Sequence, residues 1–129
     1  MADEIEFKYA LTYAGKESAG GARGFSLDEK TVSIDQSGKD ITHFTQSIGT
    51  GTAEALTVSA EVGVQGVVII RNQNTTDGHN VRIGLSGQTA SQMAVKIKPR
   101  EEWPFRANAA LFAIAGTAAV SIEGYIFED

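Results

Sequence analysis

Only two side chains in this sequence, His43 and His79, ordinarily exchange a proton near neutral pH, and there is no cysteine. A serine or threonine nucleophile would need one of those histidines as its base. Ser86 comes nearest to a motif, but Gly84-Leu85-Ser86-Gly87 lacks the glycine spacing of a nucleophile elbow and no helical pattern follows it. His79 falls in a polar turn and His43 in a Thr-rich segment, where a solvated imidazole is the simpler reading. Asn72, Asn74, Asp77 and Asn80 bring oxygen donors for a hard cation to one loop, yet Asn and Asp make tight turns through their own backbone bonding. Turn-making is the expected role, and no His-x-His pair or calcium-loop array stands elsewhere. The acid pairs Asp28-Glu29, Glu101-Glu102 and Glu128-Asp129 are adjacent, so on a strand their members point to opposite faces. Gly15-Lys16-Glu17-Ser18 looks like the end of a phosphate loop, but Tyr9 and Ala10 stand where the upstream glycine belongs. The expectation is a protein that is no enzyme and holds no metal and no cofactor.

Residues suited to contact with another macromolecule are better represented. Lys96, Lys98 and Arg100 form a basic stripe in a chain of net charge −5, suited to an ordinary solvated face or to docking on an acidic partner. Trp103-Pro104-Phe105 follows a charged turn, and its two aromatics either cap the open end of the fold or project as an anchor.

These groups must be positioned by strands. Ile5, Phe7, Tyr9, Leu11 and Tyr13 keep strict two-residue spacing, the pattern of a half-buried strand. Ala14 to Gly24 holds four glycines and no large apolar residue and reads as a long loop containing Lys16 and Arg23. Alternation resumes at Phe25 and Leu27 and continues through Val32 and Ile34. A Thr-rich strand follows over Ile41 to Ile48, then alternating Leu56, Val58, Ala60 and Val62. The β-branched run Val67-Val68-Ile69-Ile70 is the candidate central strand, buried on both faces. Later strands are expected over Val81 to Leu85, Met93 to Ile97 before Pro99, near Ala109 to Ile114, and from Ala118 to Ile126 with Gly124 as a bulge. About nine or ten short strands and no convincing helical moment predict an all-β, antiparallel β-sandwich, jelly-roll-like, as a single domain over residues 1–129. Residues 1–24, a strand plus a Gly-rich loop, are the candidate interaction arm.

Eleven basic against 16 acidic residues disfavour nucleic acid and anionic membranes as partners. The start Met1-Ala2-Asp3-Glu4-Ile5-Glu6 shows no basic and no apolar region of a secretory signal, and no apolar run approaches a bilayer span, so synthesis in the cytoplasm is expected.

The second half, about residues 65 to 129, resembles small structural proteins of tailed bacteriophage virions. The resemblance rests on Gly66-Val67-Val68-Ile69-Ile70-Arg71-Asn72, Val81-Arg82-Ile83-Gly84, Val95-Lys96-Ile97-Lys98-Pro99 and the segment from Ala115-Gly116-Thr117 to Asp129. Such proteins often follow the Lys-Pro step with Gly-Glu, where this chain has Arg100-Glu101-Glu102. The resemblance implies a β-sandwich that coats or connects parts of a particle. The expectation is a capsid decoration, or cement, protein on the outer head surface, bridging major capsid protein subunits and assembling as a homo-oligomer, a trimer among the options. Alternatives are a tail or head–tail connector component and, from another class, a carbohydrate-binding β-sandwich module. The residues expected to bind the partner are Ile5, Phe7, Lys16, Arg23, Lys96, Lys98, Arg100, Trp103 and Phe105.

Overall fold

Two-residue alternation of apolar side chains recurs along most of the chain, and strands pair over most of it. The computed structural model describes residues 5–13, 25–34, 38 and 40–129. They belong to two compact units, Met1–Gln36 and Ser37–Asp129, and the described residues contain strands but no helix.

In the first unit β1 (Ile5–Tyr13) and β2 (Phe25–Ile34) form an antiparallel two-stranded sheet. Ile5 lies opposite Ile34, Phe7 opposite Val32, Tyr9 opposite Lys30, and then Leu11 opposite Leu27. Between Tyr9 and Leu11 the register shifts, so Asp28 and Glu29 together oppose Ala10, the arrangement of a β-bulge.

The second unit holds β3 (Ile41–Ile48), β4 (Glu54–Ala55), β5 (Gln65–Asn72), β6 (Val81–Gly84), β7 (Val95–Ile97), β8 (Glu102–Arg106), β9 (Phe112–Ala115) and β10 (Val120–Glu128). They make two four-stranded antiparallel sheets, ordered β3-β10-β5-β8 and β4-β9-β6-β7. The pairs β3 with β10, β4 with β9, β5 with β8 and β6 with β7 are those of one long hairpin whose tip is β6 and β7. Rolling that hairpin up gives the β10–β5 and β9–β6 contacts as well, which is jelly-roll connectivity.

The core is the meeting of the two inner faces. Phe44, Ile48, Val68, Ile70, Val120, Ile122 and Ile126 come from the first sheet, and Val81, Ile83, Ile97, Ala113 and Ala115 from the second. Each fully buried Val or Ile removes enough apolar surface from water to stabilise the fold by about 1.5–3 kcal/mol. β5 explains its unbroken apolar run: Val68 and Ile70 are inaccessible on the inner face, while Val67 is buried and Ile69 half-buried on the other. Two expected features differ. Leu56 to Val62 is not a strand, and only Glu54–Ala55 pairs with β9; Leu56 and Val62 still reach the core from irregular chain. Nor is Gly124 a bulge, because it pairs regularly with Phe44 and Ile70, and the β10 irregularity lies between Ile126 and Glu128. Gly124 is there for the Phe44 ring: a Cβ would sit 2.6 Å from the Phe44 Cζ and 3.0 Å from the Ile69 carbonyl oxygen.

Candidate docking surfaces

Directly opposed residues of an antiparallel pair project to the same side, so the register of β1 and β2 sorts their side chains into two faces. Glu6 and Ser33, Lys8 and Thr31, and Thr12 and Ser26 occupy one, with the Lys8 Nζ 3.4 Å from a Glu6 carboxylate oxygen. Ile5, Phe7, Tyr9, Leu11 and Tyr13 occupy the other with Ile34, Val32 and Leu27, and Lys30 is the one charge among them. Leu27 lies five residues before Val32, so in a regular ladder the two would face opposite sides, and bulging out one surplus residue at Asp28-Glu29 restores the phase. The bulge therefore keeps the apolar residues of both strands on one face.

Most of that face is uncovered. Tyr9 and Tyr13 keep 54% and 51% of their surface, Leu27 47%, Leu11 45% and Val32 43%. Together they present on the order of 500 Å² of largely apolar surface, the size of the largest patch on most monomers. A two-stranded hairpin alone is marginally stable in water, so an amphipathic hairpin in this state is suited to a partner. Of the residues expected here, Ile5 is buried and Phe7 half-buried, which leaves neither as an exposed anchor. Lys16 and Arg23 lie outside the described residues.

A second surface is built at the turn from β7 to β8, the edge strands of the two sheets. Lys96 projects from the outer face of β7 in register with Arg82, and Lys98 and Arg100 follow in the turn, all three exposed. Arg100 has a φ of 70°, the left-handed conformation that favours glycine. Its N–H donates to the Asn72 carbonyl at 3.0 Å, and the Asn72 N–H donates to the Glu101 carbonyl at 2.9 Å, clamping the turn to β5. One Glu101 carboxylate oxygen accepts from the Lys98 N–H at 2.9 Å and from the Trp103 indole N–H at 3.2 Å. These donors, with the Lys98 backbone foremost and the Lys98 charge assisting, hold the Glu101 carboxyl below the usual carboxylate range against a weaker desolvation effect.

Trp103 is thus fixed by its nitrogen while 51% of its surface stays open. The two aromatics part company here. Phe105, opposite the inaccessible Val68, packs against the core, whereas Trp103, opposite Ile70, remains an exposed aromatic. Composition flagged the tryptophan but not Glu101, whose role depends on a turn geometry that spacing does not reveal.

The residues considered for chemistry are committed elsewhere. Asn72 is fully buried, its Nδ2 donating to the His79 and Ile97 carbonyls and its Oδ1 accepting from the Asn74 N–H. The Asn74 Oδ1 accepts from the Ser121 N–H, and its Nδ2 lies 3.1 Å from the His79 Nδ1. His43 stacks on Tyr125 with ring centres 4.5 Å apart, and its Nε2 is 3.6 Å from a Glu123 carboxylate oxygen on the outer face of the first sheet. Among the described residues no three His, Asp or Glu side chains converge as a metal site. Two surface clefts of about 450 and 270 Å³ are lined by neither histidine nor acid. No protein-family model matches this chain, and no curated protein sequence matches it.

Proposed function

We propose that the chain is a virion structural protein, a capsid decoration or cement protein that binds the outer surface of a phage head and stabilises it by bridging major capsid protein subunits. The observation that carries this reading is the amphipathic β1–β2 hairpin, whose apolar face is large and exposed over most of its length. Covering on the order of 500 Å² of apolar surface gains about 12 kcal/mol, and association costs about 4–15 kcal/mol. The hairpin alone is then close to break-even, so stable attachment calls on a further contact or on several copies. Trp103, with Lys96, Lys98 and Arg100, provides a further contact of the type enriched at interfaces, complementary to an acidic surface. Binding that favours the assembled shell raises its stability by mass action.

The test adds purified protein to undecorated heads and follows thermal rupture, with electron microscopy of the particles. The expected result is a rise in rupture temperature at saturating protein and added density over the capsid surface. The paired substitution Tyr9→Ser with Leu11→Ser is expected to abolish both effects. An unchanged rupture temperature, or density confined to the tail, overturns the reading.

A further inference from the structure

The larger cleft, about 450 Å³, lies on the outer face of the second sheet, within the roughly 300–1,000 Å³ range of small-molecule sites. Its floor is Phe112 and Ile114, the outward residues of β9, half-buried there while Ala113 and Ala115 face the core. One wall is the Gly51-Thr52-Ala53 loop ahead of β4, and the other is the turn after β6 from Ser86 to Ala90. Arg82 holds the second wall in place, its Nη1 donating to the Ala90 carbonyl at 2.9 Å.

The lining selects a ligand class. None of its ten residues is charged, in a chain where 21% are, and the adjoining Arg82 guanidinium is engaged by the Ala90 carbonyl, so an ionic ligand would lose hydration for little counter-charge. The Thr89 hydroxyl is committed to Ser91 and Gln92, but other polar groups of the lining are available. Among the described residues the hydroxyls of Thr52 and Ser86 have no hydrogen-bond partner. The Gln88 Oε1 accepts from the Leu85 N–H at 2.7 Å, which leaves the Nε2 hydrogens free to donate. An aromatic ring and an aliphatic side chain below, hydroxyls and an amide at the rim, and no charge complement a molecule with one C–H face and hydroxyl-bearing edges. A pyranose ring has that amphipathic form.

We propose that this cleft binds a neutral saccharide, one or two hexopyranose rings, stacked on Phe112 and hydrogen-bonded by Thr52, Ser86 and Gln88. The site does not include Trp103 and does not depend on the decoration role. One stacked ring with a few exchangeable hydrogen bonds gives a Kd on the order of 1 mM.

The test is an amide-resolved NMR titration of the full chain with glucose-, galactose-, mannose- and N-acetylglucosamine-based disaccharides, to roughly ten times that concentration. Saturable shifts with at least one sugar are expected at residues 51–53, 86–90, 112 and 114. Phe112→Leu keeps an apolar floor but removes the ring and should weaken binding at least fivefold. Thr52→Trp, on an exposed loop, should fill the cleft and abolish binding while amides elsewhere stay in place. No saturable shift with any of the four sugars, shifts centred on Trp103, or unchanged affinity in both variants overturns the proposal.

Discussion

At the residue scale, three positions carry more than their side-chain types suggest. Gly124 leaves room for the Phe44 ring, and a Cβ there would meet ring carbons at 2.6 and 2.7 Å with the Ile69 carbonyl oxygen behind. Gly124→Ala is expected to cost about 1–3 kcal/mol through overpacking, read as a lower thermal midpoint of the sandwich. Arg100 is the opposite case, a side-chain residue at a φ of 70°. Arg100→Gly is expected to stabilise by about 0.5–1 kcal/mol in denaturant unfolding, because the left-handed conformation costs glycine no Cβ strain. Glu101 sets a pH dependence. Its carboxyl is lowered in the fold, so the support it gives Trp103 is complete above the ordinary carboxylate range and is lost as pH falls through the lowered value. Following the Trp103 indole N–H resonance against pH should show that titration in the native chain and none after Glu101→Gln.

At the scale of elements, the hairpin turns on parity. Tyr9 to Leu11 spans two residues while Lys30 to Leu27 spans three, and the bulge absorbs the surplus residue so that Leu27 stays in phase with Val32. Deleting Glu29 alone makes the ladder regular and leaves the apolar face whole, so binding to heads is expected to persist. Deleting Asp28 and Glu29 together puts Leu27 on the polar face, and binding is expected to fall at least tenfold in a sedimentation assay. Retained binding after the double deletion would separate attachment from this face. The parity change was visible in the sequence, where Phe25 and Leu27 are odd-numbered and Val32 and Ile34 even-numbered; the pairing that makes sense of it was not. β4 shows the reverse limit. Leu56, Val58, Ala60 and Val62 alternate as a strand does, yet the pairing ends at Glu54–Ala55 with one further backbone bond from the Leu56 N–H to the Leu111 carbonyl. Alternation here marks Leu56 and Val62 as buried but not Ala60, and a strand also requires a neighbour's backbone.

At the scale of the whole molecule, the described residues of the main apolar cluster all lie at or after Phe44, within the unit Ser37–Asp129. A fragment beginning at Ser37 is therefore expected to unfold cooperatively by calorimetry and to lose attachment to heads along with the hairpin. Non-cooperative melting would show that its core is insufficient alone. The sequence by itself determined the all-β class, most strand positions and β5 as the central apolar strand, because two-residue periodicity and β-branching are local properties of the chain. Only the tertiary structure decided which faces stay open. Whether Trp103 or Phe105 is the exposed aromatic, and whether Tyr9 and Leu11 are covered, depends on what packs over them. The uncharged cleft likewise exists because β4, β9 and β6 bring residues 51–53, 86–90, 112 and 114 together. Burial and convergence depend on long-range pairing, which neither composition nor spacing encodes.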